Sequence, residues 1–326
     1  MKYIIVIGDG MADRPVEEAG GSTPLQVAQT PNMNRLAERG IVGLVRTIPE
    51  GMEPGSDVAI LSILGYDPLI CYTGRAPLEA AARGISLERE DVAYRVNLIS
   101  TDGEKILDYA AGHIPSPEAR ELIKYLDERL GDRFKKFIPG VSYRHLLIWR
   151  NGPVDVKCVP PHDIVGQPLE ENLPQGEREH ELTEMIWASF EILKDHEINL
   201  RRIDEGKPPA NMIWPWGQGR RPRLTSLQIR ERILGAIISA VDLVKGIGIY
   251  AGLKVIEVPG ATGYKDTNFE GKAEYGLRAL DKFDLVVIHV EAPDECGHEG
   301  DFEEKVKAIE NLDKRLVGRV LEGLTN

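Results

Sequence analysis

Tyr3-Ile4-Ile5-Val6-Ile7-Gly8-Asp9-Gly10-Met11 opens as an apolar run that stops at an acidic residue held between two glycines. Such a run reads as a buried strand. The glycines allow a sharp turn and the close approach of a ligand, so the strand delivers the Asp9 carboxylate to the sheet edge. A second run, Phe283-Asp284-Leu285-Val286-Val287-Ile288-His289-Val290, leads into Glu291-Ala292-Pro293-Asp294-Glu295-Cys296-Gly297-His298. That is Asp-x-x-x-His, again just past a strand. Between the two lies Pro54-Gly55-Ser56-Asp57, a serine that begins the apolar helical pattern running to Leu64. In open parallel sheets, ligands bind beyond the carboxyl ends of the strands. Asp9, Ser56, Asp294 and His298 therefore read together as a metal site with an activated serine.

Carboxylate, imidazole and hydroxyl oxygen form a mixed O/N donor set, suited to Mn, Zn or Mg rather than to thiolate-loving metals. A metal beside Ser56 lowers the hydroxyl pKa and makes it a nucleophile near neutral pH. Each feature also has a plain structural reading. A strand-terminal Asp caps helices, Asp-x-x-x-His pairs occur on solvated helix faces, and Gly-Ser-Asp makes turns. Their joint occurrence at predicted element edges favours the metal reading.

At 326 residues the chain suggests two domains. The opening segment alternates strand and helix: Thr30-Pro31 starts a helix carrying Met33, Leu36 and Ala37 that stops at Gly40, and Ile41-Val42-Gly43-Leu44-Val45 is the next strand candidate. Residues 76–225 have a different texture. Strand candidates at Ala93 to Ile99 and Arg144 to Trp149 alternate with two amphipathic helices. One opens at Ser116-Pro117-Glu118 with Leu122, Ile123, Leu126 and Leu130 on one face, and the other runs through Leu182, Ile186, Phe190 and Leu193. Pro160-Pro161, Pro208-Pro209 and Trp214-Pro215-Trp216 read as loops. Strand–helix rhythm then returns, with strands at Gly235 to Ile238 and Lys254 to Val258, and one helix after His298. The expected architecture is a doubly wound α/β core, residues 1–75 and 226–326, interrupted by an inserted α+β domain over 76–225.

The balance of 40 basic against 52 acidic residues gives a net charge of −12, which disfavours nucleic acid and anionic membranes as partners. No apolar stretch nears the roughly 18 residues that span a bilayer. Lys2 precedes a short run that stops at Asp9, unlike a signal peptide. Cys71, Cys158 and Cys296 form no Cys-x-x-Cys pair, and a reducing cytoplasm is expected. Oligomeric state is not legible.

Asp9-Gly10-Met11 with Asp13-Arg14-Pro15, Thr30-Pro31-Asn32-Met33, Gly55-Ser56-Asp57, Gly65-Tyr66-Asp67-Pro68, Tyr72-Thr73-Gly74-Arg75 and Asp294-Glu295-Cys296-Gly297-His298 closely resemble the archaeal-type cofactor-independent phosphoglycerate mutases of the alkaline phosphatase superfamily. The resemblance runs from residue 1 to about residue 324. It implies a metal-binding phosphatase-like core and an inserted domain that clasps a small phosphorylated substrate. It implies two divalent metal ions, no bisphosphoglycerate, and a ping-pong transfer. Ser56 takes the phosphoryl group from 3-phosphoglycerate, glycerate reorients, and the group returns to the other hydroxyl. By position, Asp9 and Ser56 serve one metal, and Asp294 and His298 the other. The family completes both sites with a later Asp-His pair and a further His, whereas no His follows His298 in this sequence. The expectation is a deficient metal shell and a core sheet short of strands.

Cations that bind phosphate and carboxylate are sought next. Arg75 is the first choice, followed by Arg95 and His113 in the inserted segment. Arg144-His145, His162-Asp163 and Arg201-Arg202 rank behind them, and Trp214, Trp216 and Tyr143 read as packing residues. Three alternatives stand beside the mutase reading: ATP-dependent phosphorylation of homoserine by the same core, general phosphomonoester hydrolysis, and a metal-poor relative without activity. The chain has no Gly-x-x-x-x-Gly-Lys-[Ser/Thr] loop for ATP, and an inserted clasp excludes the water that hydrolysis needs.

Overall fold

The computed structural model describes residues 1–325. The chain divides into two compact units, one formed by Met1–Tyr72 with the residues from Arg223 onward, the other by Thr73–Pro222.

The first unit is built on a parallel four-stranded sheet in the order Tyr3–Gly8, Leu285–Val290, Gly235–Ile238, Lys254–Val255. Val286, Ile288 and Val290 are fully buried and pack with Phe269, Ala273, Leu312 and Leu316. Leu285, Val287 and His289 have the opposite parity and face the other way. The register pairs Tyr3 with Leu285 and Gly8 with Val290. The two strands therefore end together, and Asp9 and Glu291 emerge side by side. The Asp242–Tyr250 helix packs against both the Gly235–Ile238 strand and the Ser56–Ile63 helix, which ties the Ser56 helix to the sheet.

The second unit carries an antiparallel sheet ordered Ile106–Asp108, Asp91–Thr101, Arg144–Arg150, Lys135–Val141, with Met212–Arg220 along the free side of Asp91–Thr101. The Ser116–Leu130 and Glu179–Leu193 helices bury Leu122, Ile123, Leu126, Leu182 and Leu193 in its core.

Four readings of the sequence need correction. Ile41 to Val45 forms no strand, and Ile41 and Leu44 are fully exposed. β-branched composition alone makes no strand; a partner edge must take its hydrogen bonds, and this segment pairs with none. Lys254 to Val258 shortens to Lys254–Val255. Trp214-Pro215-Trp216 lies inside the Met212–Arg220 strand rather than in a loop. Among the described residues that strand pairs on one side only, so proline's missing N–H can face the unpaired side at no cost in ladder bonds. The single helix expected after His298 is broken. His298 belongs to Ala292–Glu299, Gly300 ends it in the left-handed region, and Asp301 caps the Phe302–Asn311 helix through Glu304 N–H. A π-helical stretch, Leu312–Val317, follows.

Candidate active site

Asp9 is fixed by the backbone on both sides. Its N–H donates to Val290 O at 2.9 Å, and Gly10 turns the chain at φ 65°. A Cβ at Gly10 would lie 2.4 Å from Asp294 Cα, so glycine is what lets the segment carrying Asp294 approach. Ser56 is the first residue of the Ser56–Ile63 helix. Buried Asp57 anchors that turn by accepting the Tyr72 hydroxyl at 2.6 Å and Val58 N–H at 3.0 Å. From there Ser56 Oγ donates to Asp9 Oδ2 at 2.6 Å, the short length of a charge-assisted bond.

Further groups crowd the same strand ends. His289 is fully buried, and its Nε2 stands 3.2 Å from Asp9 Oδ2. Glu291 Oε2 is also 3.2 Å from that nitrogen, yet it has no hydrogen-bond partner among the described residues. Burial pushes the Asp9 carboxyl up, but hydrogen bonds from His289 and Ser56 outweigh it and hold it below the usual carboxylate range. Glu291 goes the other way. Burial, then the charges of Asp9 and Asp294, pushes its carboxyl up to about 8. Asp294 is raised by burial and by Asp9 as well. Buried Lys272 donates to His289 O at 3.0 Å, and desolvation pushes its ammonium down to about 8.

The four residues singled out in the sequence stand as two pairs, Ser56 on Asp9 and His298 on Asp294, the latter at 3.3 Å with His298 mostly exposed. Asp9 is not limited to these neighbours, because ligand atoms of Asp9, His289 and Glu291 all lie within 4.8 Å of one another. A divalent cation fits this place. Three carboxylates gather here, two of them raised by burial first and then by neighbouring carboxylate charge, and one buried oxygen has no hydrogen-bond donor among the described residues. His289 and Glu291 were missed by the sequence reading. Their signal was available: a histidine inside an otherwise apolar strand, then an acid at the residue that ends it.

In the second unit, Arg95 is almost wholly buried. It pairs with Glu79 at 3.3 Å and stacks 4.7 Å from the Trp216 ring, while its Nε has no hydrogen-bond partner. The register shifts between Ala93 and Arg95, and Gly217 opposite adopts φ 60°; a Cβ there would lie 3.7 Å from Arg75 Cβ and 4.0 Å from Arg95 Cβ. This bulge sets both arginines around one glycine. Desolvation lowers the Arg95 guanidinium from its ordinary value, and Arg75 and Arg144 add like charge. Burial, with Arg95 and Arg75, also lowers His162, whose ring meets Trp216 edge-on at 5.4 Å. His113 is exposed at φ 50°, with its ring 5.7 Å from Tyr143. Arg75 and Arg95 are thus brought together, and His162 joins them. Trp214 and Trp216 are buried as packing residues, although Trp216 also carries the Arg95 stack.

A parallel sheet with carboxylates at its strand ends and a helix-borne serine bonded to one of them, together with a second unit built on an antiparallel sheet, makes this an α/β protein with an acidic, serine-bearing site. Solved structures share the fold. A Pyrococcus horikoshii protein superposes with a TM-score of 0.83 at 31% identity, covering 99% of this chain and 78% of that one. The cofactor-independent phosphoglycerate mutase of Thermoplasma acidophilum gives 0.64 at 28%, covering 100% and 84%. The family model for 2,3-bisphosphoglycerate-independent phosphoglycerate mutase matches residues 37–199. Relatives of that name are 54% identical: in Methanosarcina barkeri, over 99% of this chain and 81% of the relative, and in Geobacter sulfurreducens, where the name carries "probable", over 99% and 82%. The chain belongs to the 2,3-bisphosphoglycerate-independent phosphoglycerate mutase family.

Proposed function

We propose that this chain interconverts 3-phosphoglycerate and 2-phosphoglycerate through a phosphorylated Ser56, without bisphosphoglycerate. The observation that carries the reading is the 2.6 Å bond from Ser56 Oγ to Asp9 Oδ2 at the first turn of a helix. Donation to Asp9 orients the hydroxyl and leaves an Oγ lone pair free to meet phosphorus in line. Ser56 stands at the positive end of this helix, which favours the negative charge of an incoming phosphoryl group. Ser56 Oγ bonds to phosphorus as the ester bond to glycerate breaks, the serine proton passing by way of Asp9 to the departing glycerate oxygen, and the reverse step returns the group to the other hydroxyl of glycerate. Asp9, Glu291 and Asp294, with His298 beside Asp294, are the groups that would hold divalent cations, Mn, Zn or Mg. When bound, such ions lower the serine pKa and neutralise phosphoryl charge. Arg75, Arg95 and His113 are proposed to hold the phosphate and carboxylate of the substrate, since a buried Arg95 with an unpartnered Nε suits an anion. No feature of the site favours homoserine or water as acceptor.

The test is conversion of 3-phosphoglycerate by the full chain with Mn²⁺, without bisphosphoglycerate, and with a chelator control. Chelator-sensitive formation of 2-phosphoglycerate is expected, with a phosphate mass increment on the Ser56 peptide. Ser56→Ala should lose on the order of 10⁴-fold in turnover while melting like the parent. A fully active Ser56→Ala protein would overturn the covalent mechanism, and release of free phosphate at the rate of turnover would overturn the mutase assignment.

A further inference from the structure

We infer that His289 is a positioning residue that holds Asp9 as the acceptor for Ser56, acting as an Nε2–H donor and not as a metal ligand. The inference rests on the reading of Ser56 as nucleophile. Its ring stands within reach of two carboxylates, which by distance alone makes His289 a metal-ligand candidate. Hydrogen-bond balance decides otherwise.

Nδ1 lies 3.2 Å from Ser239 Oγ. Ser239 is buried, and its oxygen already accepts Val241 N–H at 3.1 Å. If Nδ1 carried the proton, Ser239 Oγ would accept twice and its own O–H would be buried without an acceptor among the described residues, which costs the desolvation of that group. With the hydroxyl donating to Nδ1, every group is matched. The ring proton then sits on Nε2. There it meets Asp9 Oδ2 at 3.2 Å, the same oxygen that accepts Ser56 Oγ. The opposite tautomer would aim a nitrogen lone pair at Asp9 Oδ2, itself an acceptor, so the second argument agrees with the first.

The ring is also held mechanically. His289 is fully buried in the Leu285–Val290 strand, and Lys272 Nζ grips its carbonyl at 3.0 Å. Asp9 Oδ1 is held in turn by Gly10 N–H at 3.1 Å. The line from Ser239 through His289 and Asp9 to Ser56 therefore fixes the carboxylate at both oxygens and leaves the cation-binding role to Asp9, Glu291 and Asp294. Outer partners of this kind fix the orientation of the groups they touch.

Nitrogen-15 spectra of histidine-labelled full-length protein test this without any variant of His289, using ¹¹³Cd²⁺ as the metal probe. The His289 signal is identified by its shift in Ser239→Ala. The expected result is a protonated Nε2 and an unprotonated Nδ1, both before and after saturation with cadmium, with no cadmium–nitrogen coupling. Coupling to either His289 nitrogen, or loss of the Nε2 proton on metal addition, would overturn the inference. These spectra read His289 whether or not the chain proves to be a mutase, so the two readings fail separately. A kinetic comparison adds a second arm. His289→Gln keeps a side-chain N–H donor and should stay within about tenfold of the parent kcat, whereas His289→Ala should lose roughly 100-fold, with KM unchanged in both. Equal loss in Gln and Ala would overturn the assignment of His289 to donation.

Discussion

At the scale of single residues, the site depends on how closely two backbone segments approach. Gly10 carries φ 65° and leaves no room for a Cβ, which would lie 2.4 Å from Asp294 Cα and 2.7 Å from Asp294 Oδ1. Gly10→Ala must strain the turn and also push Asp294 away from Asp9. A loss of about 3 kcal/mol in urea unfolding is expected, with weaker metal binding alongside. An alanine protein with parent stability would show that the strand ends relax at little cost. The sequence reading reached Asp9, Ser56, Asp294 and His298 because each stands where an apolar run stops or a helix begins, and periodicity marks such places. It missed His289 and Ser239 because they lie within strand runs or beside them. Their roles come from register and from the pairing of donors with acceptors, which are three-dimensional facts. The register that sets Ile7 beside His289 joins residues 282 positions apart.

At the scale of elements, the sequence was most legible where one face is apolar at a fixed period. The Ser116–Leu130 helix is an example, with Leu122, Ile123 and Leu126 fully buried as its spacing requires. It was least legible where tertiary pairing overrides local signals. Pro215 argued against a strand, yet Met212–Arg220 pairs along Asp91–Thr101 from Ile99 to Val92. Ile41 to Val45 argued for a strand and finds no partner edge. Pairing also places a buried histidine in the antiparallel sheet. His145 accepts Gly140 N–H through Nδ1 at 2.9 Å, its Nε2 has no partner among the described residues, and burial, with the charge of Arg83, pushes it down to about 3. Above the unfolded histidine value of about 6.5 the residue is neutral in both states and costs nothing. As pH falls below that value the unfolded chain takes up a proton that the folded chain refuses, so stability is lost progressively towards pH 3. The limiting slope is about 1.4 kcal/mol per pH unit. His162 and His196 are lowered by burial too and add slope of the same sign. Urea melts between pH 7.5 and 4.5 should therefore steepen in His145's favour: His145→Asn, which keeps an acceptor for Gly140, should lose part of the acid sensitivity. An unchanged pH slope would show that His145 takes up its proton equally in the folded and unfolded chain.

At the scale of the whole molecule, the two units differ in how the chain closes them. The first joins ends far apart in sequence. Its sheet sets Tyr3–Gly8 against Leu285–Val290, and buried Asp313 accepts Asn32 N–H at 3.2 Å and Met33 N–H at 2.7 Å at the start of the Pro31–Arg39 helix. Neither half completes that sheet alone. The second is continuous from Thr73 to Pro222, and its two ends meet, with Thr73 Oγ1 donating to Arg220 O at 2.6 Å. It owns separate buried clusters, one around Val96, Leu122 and Leu182 and one around Ile99, Ile186 and Trp214. A continuous segment of this size with adjacent ends and its own core has what a domain needs to fold alone. Residues 73–222 expressed separately should give dispersed amide spectra and one cooperative urea transition, and should keep the acid sensitivity that His145→Asn reduces. Residues 1–72 expressed separately should stay unfolded, since their strand lacks its Leu285–Val290 neighbour. If the excised 73–222 segment were molten, its core would depend on the rest of the chain, and the acid response would have to be assigned from the full-length protein alone.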